Sequence, residues 1–220
     1  MNKSDSVIDN QDALLFIKYQ PNHSQQLISN EINSAIAGKK NVIIDFGCGF
    51  GSLERDIYKK ARRIIAIDKS KAMINYAKQN NPAPKKITFI RDDVSKFKFP
   101  KNSADYCIML FSLHHTKNKK RWLKNAYKSL KSGGKLLIVE RLCVNSIAKL
   151  IFPIYWYTYY KYKHEWAEEI PKIMSIKEID KILEENGFKI NEKRRLEYSN
   201  KFSLKSTILP RFMVIAQKQR

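Results

Sequence analysis

The run Val42-Ile43-Ile44-Asp45-Phe46-Gly47-Cys48-Gly49-Phe50-Gly51 constrains this chain more than any other stretch. A short apolar run halted by closely spaced glycines reads as a buried strand entering a tight turn. Glycine there lets the backbone take positive φ and lets a ligand approach the chain closely. A helix from about Ser52 would present its first amides to that ligand. The spacing therefore predicts a nucleotide-type site at the carboxyl end of a first strand. A dinucleotide fold wants G-x-G-x-x-G, and its third glycine position is Ser52 here. No G-x-x-x-x-G-K-[ST] string exists in the chain. The plain alternative is a tight strand–helix turn with no ligand.

Further apolar runs follow at βα spacing. Arg63–Asp68 is a second strand with an acid at its tip, where a carboxylate can accept both hydroxyls of a ribose. Ser70 opens a helix over Lys71–Lys78. Ile87–Val94 is a third strand that includes the acids Asp92 and Asp93. Asp105–Phe111 is a fourth strand, followed by Ser112-Leu113-His114-His115, and Leu130–Glu140 is a turn and fifth strand. One or two helices over about Asp12–Ala37 precede the first strand. Ser175-Ile176-Lys177-Glu178 is a capping box for a helix through Glu185 that stops at Gly187. Phe188–Leu196 and Arg211–Gln217 complete the strands. Alternation of this kind predicts an α/β fold, a mostly parallel sheet with helices on both faces.

Five segments, in this order and spacing, resemble the class I S-adenosylmethionine (SAM) methyltransferases, specifically the small-molecule-type (type 11) group. They are Asp45–Gly51, the acid Asp68, Asp92-Asp93-Val94, the Leu113-His114-His115 segment, and Leu130–Glu140, where Ser132 replaces the usual proline. The resemblance covers about residues 40 to 140 and returns after about 175. It implies a Rossmann-like seven-stranded sheet with an antiparallel last strand, SAM as methyl donor and S-adenosylhomocysteine as product. It implies a cofactor site of Asp45, Phe46, Gly47, Cys48, Gly49, Gly51, Asp68, Lys69, Met73, Asp92, Asp93, Val94, Leu110 and Phe111. In that alignment Asp68 holds the ribose, Met73 lies near the adenine, and Asp93 receives its exocyclic amine. A one-residue shift gives the last role to Asp92.

At 220 residues the chain has the length of one domain with a full core. The organisation expected is a single domain over 1–220 with an N-terminal helical segment, 1–40, and an insertion, 141–172. The three cysteines are scattered, form no C-x-x-C pair and suggest no metal site. That usage fits a reducing cytoplasm. The N-terminus lacks the apolar core of a signal peptide. The longest apolar-aromatic run, Leu150–Tyr160, is too short to span a bilayer. A cytoplasmic or membrane-peripheral enzyme is the expectation.

The formal net charge is +21. Its densest part is Lys117, Lys119, Lys120, Arg121, Lys124, Lys128 and Lys131, interleaved with Leu123, Ala126, Tyr127 and Leu130 at helical spacing. A solvated helix face is the plain reading. RNA or an anionic membrane surface is the sharper one.

The 141–172 insertion holds eight aromatics: Phe152, Tyr155, Trp156, Tyr157, Tyr159, Tyr160, Tyr162 and Trp166. In related enzymes this connection covers the active site and chooses the substrate, so Tyr155, Trp156, Tyr159 and Tyr160 are its candidate substrate residues. They could wall an apolar pocket, stack on bases or anchor at a membrane interface. The alternative is a small core beneath a lid. A general base, where the acceptor must lose a proton, falls to His114 or His115, since imidazole titrates near neutrality. His23 is a further candidate over the methionine end of SAM. The chain lacks the [DNS]-P-P-[YFW] motif of amino-methyltransferases after strand four. Cys107 sits inside a strand, which disfavours a covalent mechanism. The reading is methyl transfer to a small-molecule or lipid-like acceptor, with RNA methylation as the alternative and a non-catalytic SAM-binding protein behind both.

Overall fold

The computed structural model describes residues 22–144, 146–157, 173–196 and 210–219, without the side chains of residues 22–24, 146, 155 and 156. Helix α1 (Asn22–Ala35) leads into β1 (Asn41–Phe46). There follow α2 (Ser52–Ile57), β2 (Ala61–Asp68), α3 (Lys71–Gln79), β3 (Ile87–Arg91), β4 (Ala104–Leu110), α4 (Lys119–Ser129), β5 (Leu130–Arg141), α5 (Ser146–Trp156), α6 (Ile176–Glu185), β6 (Phe188–Leu196) and β7 (Arg211–Lys218).

The strands form one seven-stranded sheet in the order β3-β2-β1-β4-β5-β7-β6. Neighbours from β3 to β5 are parallel, and β7 runs antiparallel to both β5 and β6. The central strands are buried on both faces, which is why β1, β4 and the second half of β5 read as nearly unbroken apolar runs. Side chains alternate between two cores. Ile44, Ile65, Cys107, Met109 and Ile138 face one layer with Leu123 and Ala126 of α4 and Ile179 and Leu183 of α6. Ile43, Ile64, Ala66, Ile108 and Leu137 face the other, with Ile28 and Ile32 of α1, Ile36 just beyond it, Leu53 of α2 and Ile74 of α3.

The helix ends follow the sequence chemistry. The Glu178 N–H donates to Ser175 Oγ at 3.2 Å, and the Ser175 N–H donates to Glu178 Oε2 at 2.7 Å. This reciprocal pair satisfies two amides that the first turn leaves open. Gly187 takes φ of 82° just beyond the other end, and a Cβ there would lie 2.9 Å from the Tyr127 ring. The helix expected from Ser52 starts there and spans six residues. One expectation needs correction. Strand three stops at Arg91, so Asp92, Asp93 and Val94 belong to the turn beyond it.

Candidate active site

The chain runs outward from β1 to β2 and β3, then returns to place β4 on the other side of β1. The crevice of such a sheet lies outside the carboxyl ends of its strands at this switch point. The glycine turn, Asp68, the Asp92–Val94 turn, Phe111–His115 and Glu140 all leave strands at that edge.

The turn after β1 is tied to β2. The Gly47 and Cys48 N–H groups both donate to the Ile67 carbonyl, at 2.8 and 3.1 Å. The Gly49 N–H donates to Asp68 Oδ2 at 3.0 Å, and the Ser70 N–H donates to Oδ1 at 2.8 Å. Each carboxylate oxygen retains a lone pair for a further donor, such as a hydroxyl. Burial pushes the Asp68 pKa up, while the Ser70 and Gly49 amides and Lys69 pull against it.

The three glycines of the turn are not equivalent. All have positive φ: 82° at Gly47, 54° at Gly49 and 75° at Gly51. A Cβ on Gly47 would lie 2.6 Å from Ser112 Cβ, and one on Gly51 would lie 2.7 Å from the Phe89 ring. A Cβ on Gly49 would meet nothing within 4 Å. Gly47 and Gly51 are therefore demanded by packing. Gly49 borders open space.

Beneath the turn lie two buried acids. Asp45 is 2% exposed and Glu54 of α2 is fully buried. Asp45 and Glu54 meet carboxyl to carboxyl, and Asp45 Oδ1 and both Glu54 oxygens have no other hydrogen-bond partner among the described residues. Burial and then the Glu54 charge push Asp45 well above the usual carboxylate range, and burial raises Glu54 as well. Burial and the neighbouring acids also raise the Cys48 thiol well above its ordinary value, so it stays protonated at neutral pH.

The remaining expected cofactor residues divide. Met73 is buried against Phe50 under the turn, and its N–H donates to the capping Ser70 Oγ at 3.3 Å. Lys69 and Leu110 are half-buried at the strand tips, beside Asp68 and Phe111. Asp93 is half-buried and its Oδ1 accepts from the Ser95 N–H at 2.7 Å. Asp92 is exposed and accepts from the Asp93 N–H at 2.7 Å. Val94 is buried, and its carbonyl accepts from Asn125 at 2.8 Å. Phe46 is fully buried, with its ring 4.7 Å from that of Phe99. Its side chain belongs to the core, and only its backbone borders the turn. Phe111 holds the left-handed region at φ of 49°, an uncommon conformation for a bulky residue.

Beyond β4 the chain makes a 3-10 turn, Leu113–His115. Ser112 Oγ donates to the Phe46 carbonyl at 2.6 Å, joining this turn to the end of β1. His114 Nδ1 lies 2.7 Å from Oε2 of Glu140, at the end of β5. The His115 ring is 4.0 Å from that of His114. Surrounding chain, then the charges of His114, Lys69 and Lys119, push the His115 pKa below its ordinary value, and a face open to solvent limits that shift. Sequence reasoning named both histidines and missed Glu140 and Glu54. An acid closing an otherwise apolar strand was the signal for Glu140. Nothing in the local pattern set Glu54 apart from an ordinary helix acid.

Of the insertion, α5 is described. Ala148 and Phe152 pack inward with Cys143 and Ile173. Ile147, Leu150 and Ile154 lie outward at 67%, 76% and 65% exposure. Tyr159, Tyr160, Tyr162 and Trp166 lie outside the described residues, as do the side chains of His23, Tyr155 and Trp156. Among the described residues, no helix is long and apolar enough to cross a membrane, and no cluster of three or more His, Cys, Asp or Glu could hold a metal ion.

Residues 44–138 match the sequence profile of the family described as "Methyltransferase domain". One similar protein is a ubiquinone/menaquinone biosynthesis C-methyltransferase of Wigglesworthia glossinidia brevipalpis, 28% identical over 66% of this chain and 66% of its own length. Another is a carboxy-S-adenosyl-L-methionine synthase of Staphylococcus epidermidis, 29% identical over 67% of this chain and 70% of its own length. The chain thus spans about two thirds of the length of these relatives. A SAM-dependent methyltransferase structure from Aquifex aeolicus shares the fold, with TM-score 0.64 at 20% identity over 93% of this chain and 97% of that one. The open cradle above Gly49 and the anchored carboxylate of Asp68 fit the donor that this family uses. Glycine turn, strand order and profile agree: residues 44–138 match the methyltransferase-domain family, and the sheet has the fold of the SAM-dependent methyltransferases.

Proposed function

We propose that the chain transfers the methyl group of SAM to a small, largely apolar acceptor, an unmethylated quinol or a compound of similar shape. The open space over Gly49, in a turn whose other glycines are packed tight, is the observation that carries the donor site. On this reading the turn from Asp45 to Gly51 bears the methionine end of SAM, and Asp68 takes the ribose hydroxyls with its remaining lone pairs. Lys69, Met73, Leu110 and Phe111 border the nucleoside. Asp93, or its neighbour Asp92, receives the exocyclic amine beside the Val94 backbone. When bound, SAM supplies a methyl already activated on a sulfonium, so the protein has mainly to align the acceptor and exclude water.

The acceptor class is supported by the quinone-pathway relative and by α5. The outward apolar face of α5 stands beside a groove of about 630 Å³ whose rim carries Lys119, Lys120, Lys149 and Lys181 together with Glu178 and Glu185, which pair with Lys149, Lys120 and Lys181. The exposed Ile147, Leu150 and Ile154, beside a rim with more lysine than acid, suit an anionic membrane surface, from which a lipid-like acceptor would enter. We read the chain as one domain over 1–220, with an N-terminal helical segment, 1–40, and residues 141–172 as the acceptor lid.

The test offers tritiated SAM to the purified protein with three acceptors: a short-chain unmethylated naphthoquinol, the same quinol in phosphatidylglycerol vesicles, and total RNA. Labelled quinol is the expected product, at a higher rate with vesicles. Leu150→Glu should lose the vesicle gain and keep the rate with free quinol. Label in RNA alone would overturn the acceptor assignment, and label in none of the three acceptors would overturn the reaction.

A further inference from the structure

Glu140 ends β5 at the crevice and is 1% exposed. Its Oε1 accepts from the Leu113 N–H at 2.8 Å and from the His114 N–H at 3.3 Å. Its Oε2 lies 2.7 Å from His114 Nδ1. An ionised carboxylate only accepts. Backbone amides only donate, and imidazole can do either. The arrangement therefore places the ring proton on Nδ1, which leaves the lone pair on Nε2. No described residue hydrogen-bonds Nε2, and the side chain keeps 12% of its surface open at the mouth of the crevice. His115 stacks beside it, with no carboxylate paired to it among the described residues. The Ser112 bond to Phe46 fixes this turn against the strand that bears the glycine turn.

We propose that Glu140 is a positioning residue that fixes the Nδ1–H tautomer of His114, so that Nε2 acts as the general base of methyl transfer. This rests on the donor and acceptor reading above. The acceptor O–H bond breaks and its proton forms the Nε2–H bond. The oxygen's electron pair passes through the ring to the attacking carbon. That carbon bonds to the methyl as the S–CH3 bond breaks, its pair remaining on sulfur, and loss of the ring C–H proton to water restores aromaticity. Glu140 holds the Nδ1–H of the imidazolium, which then returns its Nε2 proton to the quinol oxygen and restores the base.

The discriminating variant is Glu140→Gln. Its amide oxygen must keep accepting from the two backbone donors, which cannot change roles. The amide NH2 then faces Nδ1, and the ring has to move its proton to Nε2. Nitrogen-15 spectra of the whole protein should show His114 protonated on Nδ1 in the wild type and on Nε2 in Glu140→Gln. SAM affinity should stay within about threefold, while turnover with the naphthoquinol falls by about 10²- to 10⁴-fold. His114→Asn should fall as far. Equal turnover in wild type and Glu140→Gln overturns the inference and leaves methyl transfer standing. A wild type that labels no acceptor overturns the methyl-transfer reading and this base with it. If neither variant folds, the wild-type spectrum decides, and a ring protonated on Nε2 alone overturns the proposal.

Discussion

Gly49→Val is expected to give a folded protein that binds neither SAM nor S-adenosylhomocysteine. The new Cβ enters space with no neighbour within 4 Å, so the substitution displaces no side chain. A φ of 54° strains a β-branched residue by about 1–2 kcal/mol, which a domain of about 5–15 kcal/mol survives. The added methyls fill the space assigned to the donor. Gly51→Val should behave in the opposite way. Its Cβ would be driven into the Phe89 ring at 2.7 Å, and overpacking of that kind lowers the melting temperature. Calorimetry with both ligands, paired with thermal unfolding, checks the contrast. Wild-type binding by Gly49→Val would remove the turn from the donor site.

Asp68→Ala should weaken SAM binding by roughly 1.5–3 kcal/mol, a factor of about 10–150, through loss of charge-assisted hydrogen bonds. The carboxylate has a second duty, because it holds the Gly49 and Ser70 amides. Its removal loosens the turn as well as the ribose contact. Asp68→Asn keeps one accepting oxygen and should recover part of the loss. If Asp68→Ala binds SAM as the wild type does, the ribose lies elsewhere.

The sheet was legible because a strand buried on both faces must be apolar at almost every position, and Ile43-Ile44 and Leu136-Leu137-Ile138-Val139 show that directly. The glycine turn was legible because positive φ selects its residue type. The His114–Glu140 pair was not, since the two residues are far apart in sequence. They meet through register: Leu110 pairs with Val139, which carries Glu140 past the end of β4 to the histidine turn. Glu54 was equally hidden, because only the placement of α2 decides that its first turn faces the interior. In α5 the aromatic composition masked the helical pattern. Of its described side chains Phe152 turns inward, and the outward face is built from isoleucine and leucine.

The buried acids under the glycine turn make proton binding part of the folding equilibrium. An unfolded chain releases both carboxyl protons above about pH 4. The folded chain holds on longer, since both pKa values are raised there. Their contribution to stability is therefore complete below the unfolded carboxyl range and is lost as pH rises through the folded values. Melting temperature should fall with rising pH across that window, and less so in Glu54→Gln. Linkage also runs through the ligand. A cationic donor seated above Asp45 and Glu54 would favour their ionised forms, so binding should release protons and tighten as pH rises. The protein would then be least stable without its donor on the high-pH side of that window, where it binds the donor best.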